Sequence, residues 1–267
     1  MNPSARCLLI ALLALGLMAP GVSAEPNLEN AKKVLPFDPE EWMTEPVSPP
    51  LGDPRAKREV DEPLKCYVLA FITTLRTDGP NSNTGFNRDY LEPLIFESMV
   101  DIHPETEEFI PLLATHWKVD TDQENQRQTF TFRLNPKARW SDGSEVTSVD
   151  VYYSWWHRVQ EDRKEPSNLM TFGEDFEEPE IVDKYTIRVR TTELNWRLFL
   201  YFSGMLIFPA KECHIPGDEY LTDYNWKFMT GSGPYILKPE DLKKGDSITL
   251  TRREDWWAED EPWAANL

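Results

Sequence analysis

Residues able to do chemistry are plentiful in this chain, but their spacing spells none of the common reactive sites. The four histidines, His103, His116, His157 and His214, stand apart, and none has the i,i+4 or CxxC partner from which zinc sites are built. His214 follows Cys213 directly, which offers two adjacent donors where a metal needs three or four. Aspartate and glutamate total 46, so chance alone brings some of them close, and Glu177-Glu178 reads as a solvated charged face. Nothing marks a glycosidase pair of carboxylates. No GxSxG elbow, P-loop or HExxH occurs. Gly231-Ser232-Gly233-Pro234 lacks the following Lys-Ser/Thr of a phosphate loop, and a turn between strands accounts for it. The expectation is a protein that is not an enzyme, with no catalytic residue, no metal and no cofactor.

What remains is aromatic surface, and indoles supply binding more often than bond-breaking. Five of the ten tryptophans fall in adjacent or near-adjacent places: Trp155, Trp156, Trp256, Trp257 and Trp263. Core packing accounts for most of them. One or two can instead wall a cleft, because an indole offers large contact area with one polar edge. Trp156 is the candidate.

The stretch that positions it runs WSDGSEVTSVDVYYSWWHRV, from Trp140 to Val159. Ser141-Asp142-Gly143 supplies a turn, and Thr147 followed by Asp150 approximates a capping box. Tyr152, Trp155, Trp156 and Val159 then recur at spacings of three and four, one apolar face on a helix of about three turns. Asn87 to Val100 also reads as a helix, with Tyr90, Leu94 and Ile95 on one side and Pro93 early in it or kinking it. Cys66 to Ile72 is a continuous apolar run of buried-strand length. Ile181 to Arg190 alternates like one half-buried strand. Trp196 to Phe202 reads as an amphipathic turn of helix, and Met205 to Pro209 as a short buried strand.

The ordered string Thr129-Phe130-Thr131-Phe132-Arg133-Leu134, then Lys137-Ala138-Arg139-Trp140 and the WSDG turn, resembles the family 5 extracellular solute-binding proteins. These are the peptide-, dipeptide- and nickel-binding receptors of ABC importers. Other segments carry the same likeness. Leu94 to Val100 resembles the family's "LxxEGLV", with Ser98-Met99 in place of Gly-Leu. Pro111 to Val119 matches "PxLAxSWxV" with His116 unusual, and Ile181 to Arg190 resembles "DxxTVRF". Gly231 to Leu237 matches "GTGPYxL", and Ser247 to Trp257 resembles "IxLxRNxxYW" with Glu254-Asp255 for the usual asparagine-proline. The likeness covers about Leu64 to Trp257.

Composition agrees with an exported binding protein. The net charge of −18 is spread along the chain and leaves no basic footprint for nucleic acid. Residues 1–24 read as a secretory signal: Arg6 in the n-region, Cys7 to Met18 as an apolar run too short to span a membrane, and Val22-Ser23-Ala24 before a cleavage near Ala24-Glu25. Loss of Arg6 would take the charge to −19. Residues 25–63 hold eight of the 22 prolines, with ten acids, five bases and no sustained period, which reads as a tether or loosely packed arm on which Trp42 and Met43 still have the chance to dock. Cys66 and Cys213 remain in an oxidising compartment, where a disulfide is permitted but sequence does not show whether they are close enough to pair.

The resemblance implies an α/β periplasmic binding protein-like fold (type II, cluster C), here a first lobe with mixed sheet and flanking helices. Residues 64–84 and about 180–267 would form the main lobe, and about 85–179 an inserted subdomain. The chain ends near where family members leave the first lobe for a second, so the second lobe is expected to be missing. A one-sided site would hold its solute weakly. The resemblance also implies that main-chain groups at Thr77, Asp78, Gly79 and Pro80, near the end of the first strand, hold the ligand, although the link TLRTDGPNSN departs from the family's short one. The expected function is a periplasmic receptor that closes on peptides or similar solutes and hands them to an ABC permease in the inner membrane. The alternative is a secreted interaction module that keeps the fold without transporting.

Overall fold

The computed structural model describes residues 26–42, 72–77, 86–103 and 107–261. The strands are β1 (Val100–Ile102), β2 (Phe109–Pro111), β3 (Ala114–Asp122), β4 (Arg127–Leu134), β5 (Glu180–Asp183), β6 (Thr186–Arg190), β7 (Tyr235–Lys243) and β8 (Ser247–Arg252). The helices are α1 (Glu92–Ile95), α2 (Ser148–Arg158), α3 (Pro166–Asn168), α4 (Arg197–Ser203), α5 (Ala210–Cys213) and α6 (Gly217–Asp223). Four strands form an antiparallel sheet in the order β3-β4-β6-β5, and β1-β2 and β7-β8 form two antiparallel pairs. The signal segment, the run Cys66 to Phe71, and Asp78, Gly79 and Pro80 lie outside the described residues.

Alternation along β4 explains the core. Phe130, Phe132 and Leu134 share one face and are fully buried. The rings of α4 meet that face: Phe199 lies 5.4 Å from Phe130 and 5.7 Å from Phe132, and Phe202 lies 6.0 Å from Phe132. Trp196, at the start of that turn, is 70% exposed and stays out of the core. On the opposite face Arg133 places Nη1 at 3.0 Å from Asp183 Oδ1 and 2.9 Å from Thr186 Oγ1, and its guanidinium lies 5.1 Å from the ring centroid of Phe37. Phe37 belongs to the N-terminal segment, which is tied to the sheet edge. Asn30 Nδ2 donates to Ile181 O at 3.0 Å and Lys184 N donates to Lys33 O at 2.8 Å. Trp42 lies under Lys118 at 5.7 Å.

Three elements differ from the reading of the sequence. Ile181 to Arg190 is a hairpin, because the Asp183 carboxylate accepts from Tyr185 N at 2.7 Å and from Thr186 Oγ1 at 2.9 Å and bends the chain at Lys184-Tyr185. The helix that begins at Asn87 ends at Ile95, after π geometry over Asn87–Leu91. Beyond it Phe96 is extended, and Glu97 O and Met99 N bond instead to Ile207 N and Ser203 O, each at 3.0 Å. Tyr90 is 59% exposed, so it does not share the buried face of Ile95. Met205 to Pro209 is not a strand, since Ile207 N serves Glu97 O and Phe208 N donates to Ser154 Oγ at 2.8 Å.

Four of the motif segments meet at one buried polar node. Arg253, 4% exposed, donates from Nη1 to Ser232 O and Gly233 O, each at 3.1 Å, and from Nη2 to Trp140 O at 3.4 Å. Trp257 Nε1 donates to Glu97 Oε2 at 2.9 Å. Ser141 N donates to Gly231 O at 2.9 Å, which ties the WSDG turn to the glycine-rich segment. A Cβ on Gly231 would stand 2.1 Å from Ile95 O, so close backbone approach demands that glycine, while Gly143 is needed for a φ of +84°. Neither role involves phosphate.

Burial pushes the Glu97 carboxyl up to about 7, against the opposing pull of Trp257, Ser232 and the Arg253 charge. Between about pH 4.5 and 7 the folded state therefore keeps a proton that the unfolded chain has lost, so this group makes stability fall as pH rises across that window and leaves it flat above. The full effect is about 3 kcal/mol. Urea denaturation of wild type and Glu97→Gln should show the variant gaining relative stability by about that amount from about pH 5 to about pH 8. A constant difference would mean that Glu97 titrates normally.

Candidate functional site

Helix α2 begins where Asp150 reaches back, its Oδ2 accepting from Thr147 N at 2.8 Å and from Thr147 Oγ1 at 3.0 Å. The other oxygen, Oδ1, accepts from Ala210 N at 2.9 Å, which fixes the start of α5 against the start of α2. Burial raises the Asp150 carboxyl, while the Ala210 and Thr147 hydrogen bonds oppose the shift. Ser154 Oγ donates to Asp150 O at 2.6 Å and receives Phe208 N, so the chain entering α5 is held along the helix as well.

From this start the two adjacent indoles diverge by one helical step. Trp155 is 2% exposed and donates from Nε1 to Phe172 O at 2.8 Å, inside the core. Trp156 is half-buried and lines a cavity of about 430 Å³ with Tyr152, Tyr153, Ala210, Lys211, His214, Pro26 and Leu28. Tyr153 and Trp156 stand edge to face at 5.9 Å. His214 lies 4.7 Å from the Tyr153 ring and 5.4 Å from Trp156. Tyr152 donates its hydroxyl to Glu178 at 2.7 Å. Lys211 is paired with Asp142 of the WSDG turn, which holds the Asp142 carboxyl down at about 2. A second hollow of about 330 Å³ shares Ala210 and Lys211 and continues past Thr147 and Glu145 to Trp140.

The remaining sequence candidates lie elsewhere or outside the described residues. Thr77 is half-buried, with Oγ1 3.2 Å from the Tyr220 hydroxyl of α6. Its neighbour Arg76 donates to Leu221 O at 2.6 Å. Asp78, Gly79 and Pro80 are not described, so the expected ligand-binding turn is represented by Thr77. Nothing brings Thr77 to Trp156 among the described contacts. Cys213 is a free, buried thiol, pushed up by burial, and Cys66 lies outside the described residues. His214 faces the aromatic rings, and among the described residues no cluster of three or more histidines, cysteines or carboxylates could hold a metal. Tyr153, His214, Pro26 and Leu28 were missed as site residues. Tyr153 alone left a trace, since it lies three residues before Trp156 on the same helix.

A four-stranded sheet backed by α2 and α4 is the build of a periplasmic binding-protein lobe. MoaA from A. tumefaciens R10, a binding protein solved in complex with mannopinic acid, matches with a TM-score of 0.55 at 25% identity, covering 70% of this chain and 36% of that one. The family description "bacterial extracellular solute-binding proteins, family 5 Middle" matches residues 108–266, and the chain belongs to that family. It is 27% identical over 61% of its length to the periplasmic murein peptide-binding protein MppA of Escherichia coli K12, and 27% identical over 66% to the dipeptide-binding protein DppE of Bacillus subtilis 168. The matches span 31% and 34% of those proteins, so this chain covers about a third of the relatives' length.

The divergence of the two indoles sets an expectation for their removal. Trp155→Ala should cost about 3–5 kcal/mol, the loss expected for a fully buried aromatic. Trp156→Ala should cost about 1 kcal/mol or less, because its ring already faces a hollow and forfeits fewer contacts. Urea denaturation of both variants measures the difference, and equal losses would place Trp156 in the core.

Proposed function

We propose that this chain is the solute-binding component of an ABC importer. It takes up peptides or chemically similar solutes outside the cytoplasm and delivers them to a permease in the inner membrane. The observation that carries the reading is the family match over residues 108–266. The names of the relatives, a murein peptide-binding and a dipeptide-binding protein, support peptides as the ligand class. Export through the signal at residues 1–24, with cleavage near Ala24-Glu25, belongs to the same proposal.

Such a receptor needs no covalent chemistry. Ligand contacts made in a closed state shift the population toward it, and the strength of the response equals the differential affinity for closed over open. On this chain the proposed contacts are main-chain groups at Thr77, Asp78, Gly79 and Pro80, and the exposed edge of Trp156. The Thr77 hydroxyl is already engaged with Tyr220, which leaves its backbone as the group to offer.

Titration of the isotope-labelled protein with pooled di- to pentapeptides, up to millimolar concentration and followed by NMR, detects even weak binding. The expected result is a saturable perturbation of a contiguous set of signals. If no pool perturbs any signal, the chain does not take peptides and the reading as a secreted interaction module replaces this one.

A further inference from the structure

The cavity between α2 and α5 has one wall that does not come from the folded body. Pro26 and Leu28 of the N-terminal segment border it together with Tyr153, Trp156 and His214. The segment therefore places Pro26 and Leu28 on the border of a cavity that three rings also line. Its shape is local, since Leu28 N donates to Pro26 O at 2.8 Å and Asn30 N to Asn27 O at 3.2 Å. Leu28 stays 41% exposed, and about 430 Å³ remains beside it. The seat is thus only partly filled by what now sits on it.

We propose that this cavity is a docking site for the apolar side chain of an extended peptide, and that Pro26–Leu28 occupies it in cis until such a peptide displaces it. The inference rests on the reading of Trp156 as a ligand contact. Three features support it. The rings offer π faces and edges suited to proline, leucine or aromatic side chains. The lining also includes polar groups, the His214 ring and Lys211, whose ammonium is paired with Asp142. The cis segment is anchored close by, at Asn30 to Ile181 O and at Lys33 O to Lys184 N, so Leu28 lies two residues from its first tether.

That short tether gives the segment a high effective concentration, in the range of about millimolar for a short flexible link. A ligand must compete with it, and its apparent affinity falls by the fraction of molecules in which the seat is open. Removing the two apolar side chains should release that competition without disturbing the core, because Leu28 is exposed and Pro26 only half-buried.

The test uses acetyl-Pro-Asn-Leu-amide, the segment's own sequence supplied in trans, and the indole N–H signal of Trp156, assigned by its loss in Trp156→Phe. Pro26→Ser combined with Leu28→Ser should move the Trp156 signal by itself. The tripeptide should then bind this variant about threefold or more tightly than wild type, and adding Trp156→Ala, with binding followed at the backbone amide signals of α2 and α5, should abolish the gain. Equal affinity for the two proteins, or a Trp156 signal that the double substitution leaves in place, overturns the proposal. If the peptide pools bind wild type without touching Trp156, the importer reading stands and the cis occupancy falls. If the tripeptide binds at Trp156 only after the double substitution, cis occupancy stands even where no pool saturates wild type.

Discussion

The guanidinium of Arg253 is taken out of water and has to be satisfied from within, and three distant pieces of chain are arranged around it. A buried charged group left without partners costs several kcal/mol, more than most single contacts contribute. Arg253 donates to the carbonyls of Ser232 and Gly233 in one segment and of Trp140 in another, 113 residues away. Glu97 lies close enough to feel its charge and takes Trp257 Nε1 on one oxygen. Each of these residues sits in a stretch that carries the family resemblance. These four motifs are therefore parts of one polar junction, which holds the turn, the glycine-rich segment and the tryptophan pair together.

A second polar junction organises the outer face of the sheet. Arg133 and Asp183 are both nearly buried, with Thr186 completing the set, and the arm seals them from water through Phe37. The carboxylate of Asp183 does two things at once, pairing with Arg133 and turning the chain into β6. Stability and topology are coupled at that side chain, because a hairpin register set by a buried ion pair cannot slip without exposing it.

These junctions decide what the sequence made legible. Helix α2 was readable because its signals are local: Asp150 three residues after Thr147, and apolar residues at three and four. The hairpin at Ile181 to Arg190 was not, since its alternation suits one long strand and masks the turn that Asp183 makes with Tyr185 N and Thr186 Oγ1. The helix end at Ile95 was hidden because the backbone groups just beyond it, Glu97 O and Met99 N, bond to segments more than a hundred residues later. In the site, Trp156 belonged to a visible stripe. His214, Pro26 and Leu28 carry no local mark, and only tertiary packing brings them to it.

The aromatic cavity has walls of unequal stiffness, and this follows from where its hydrogen bonds lie. Asp150 joins the starts of α2 and α5 through one carboxylate, and Ser154 ties the approach to α5 onto the same helix, so Tyr153, Trp156 and His214 are carried on one braced unit. Opening the box between the two helices would break several buried bonds together. The opposite wall is held by the local turn of Pro26 to Leu28 and by anchors that begin only at Asn30. Lifting it exposes a proline and a leucine that already touch solvent, and it leaves the sheet contacts of Lys33 and Phe37 in place. Motion at this cavity is therefore expected on the arm side and not between the helices.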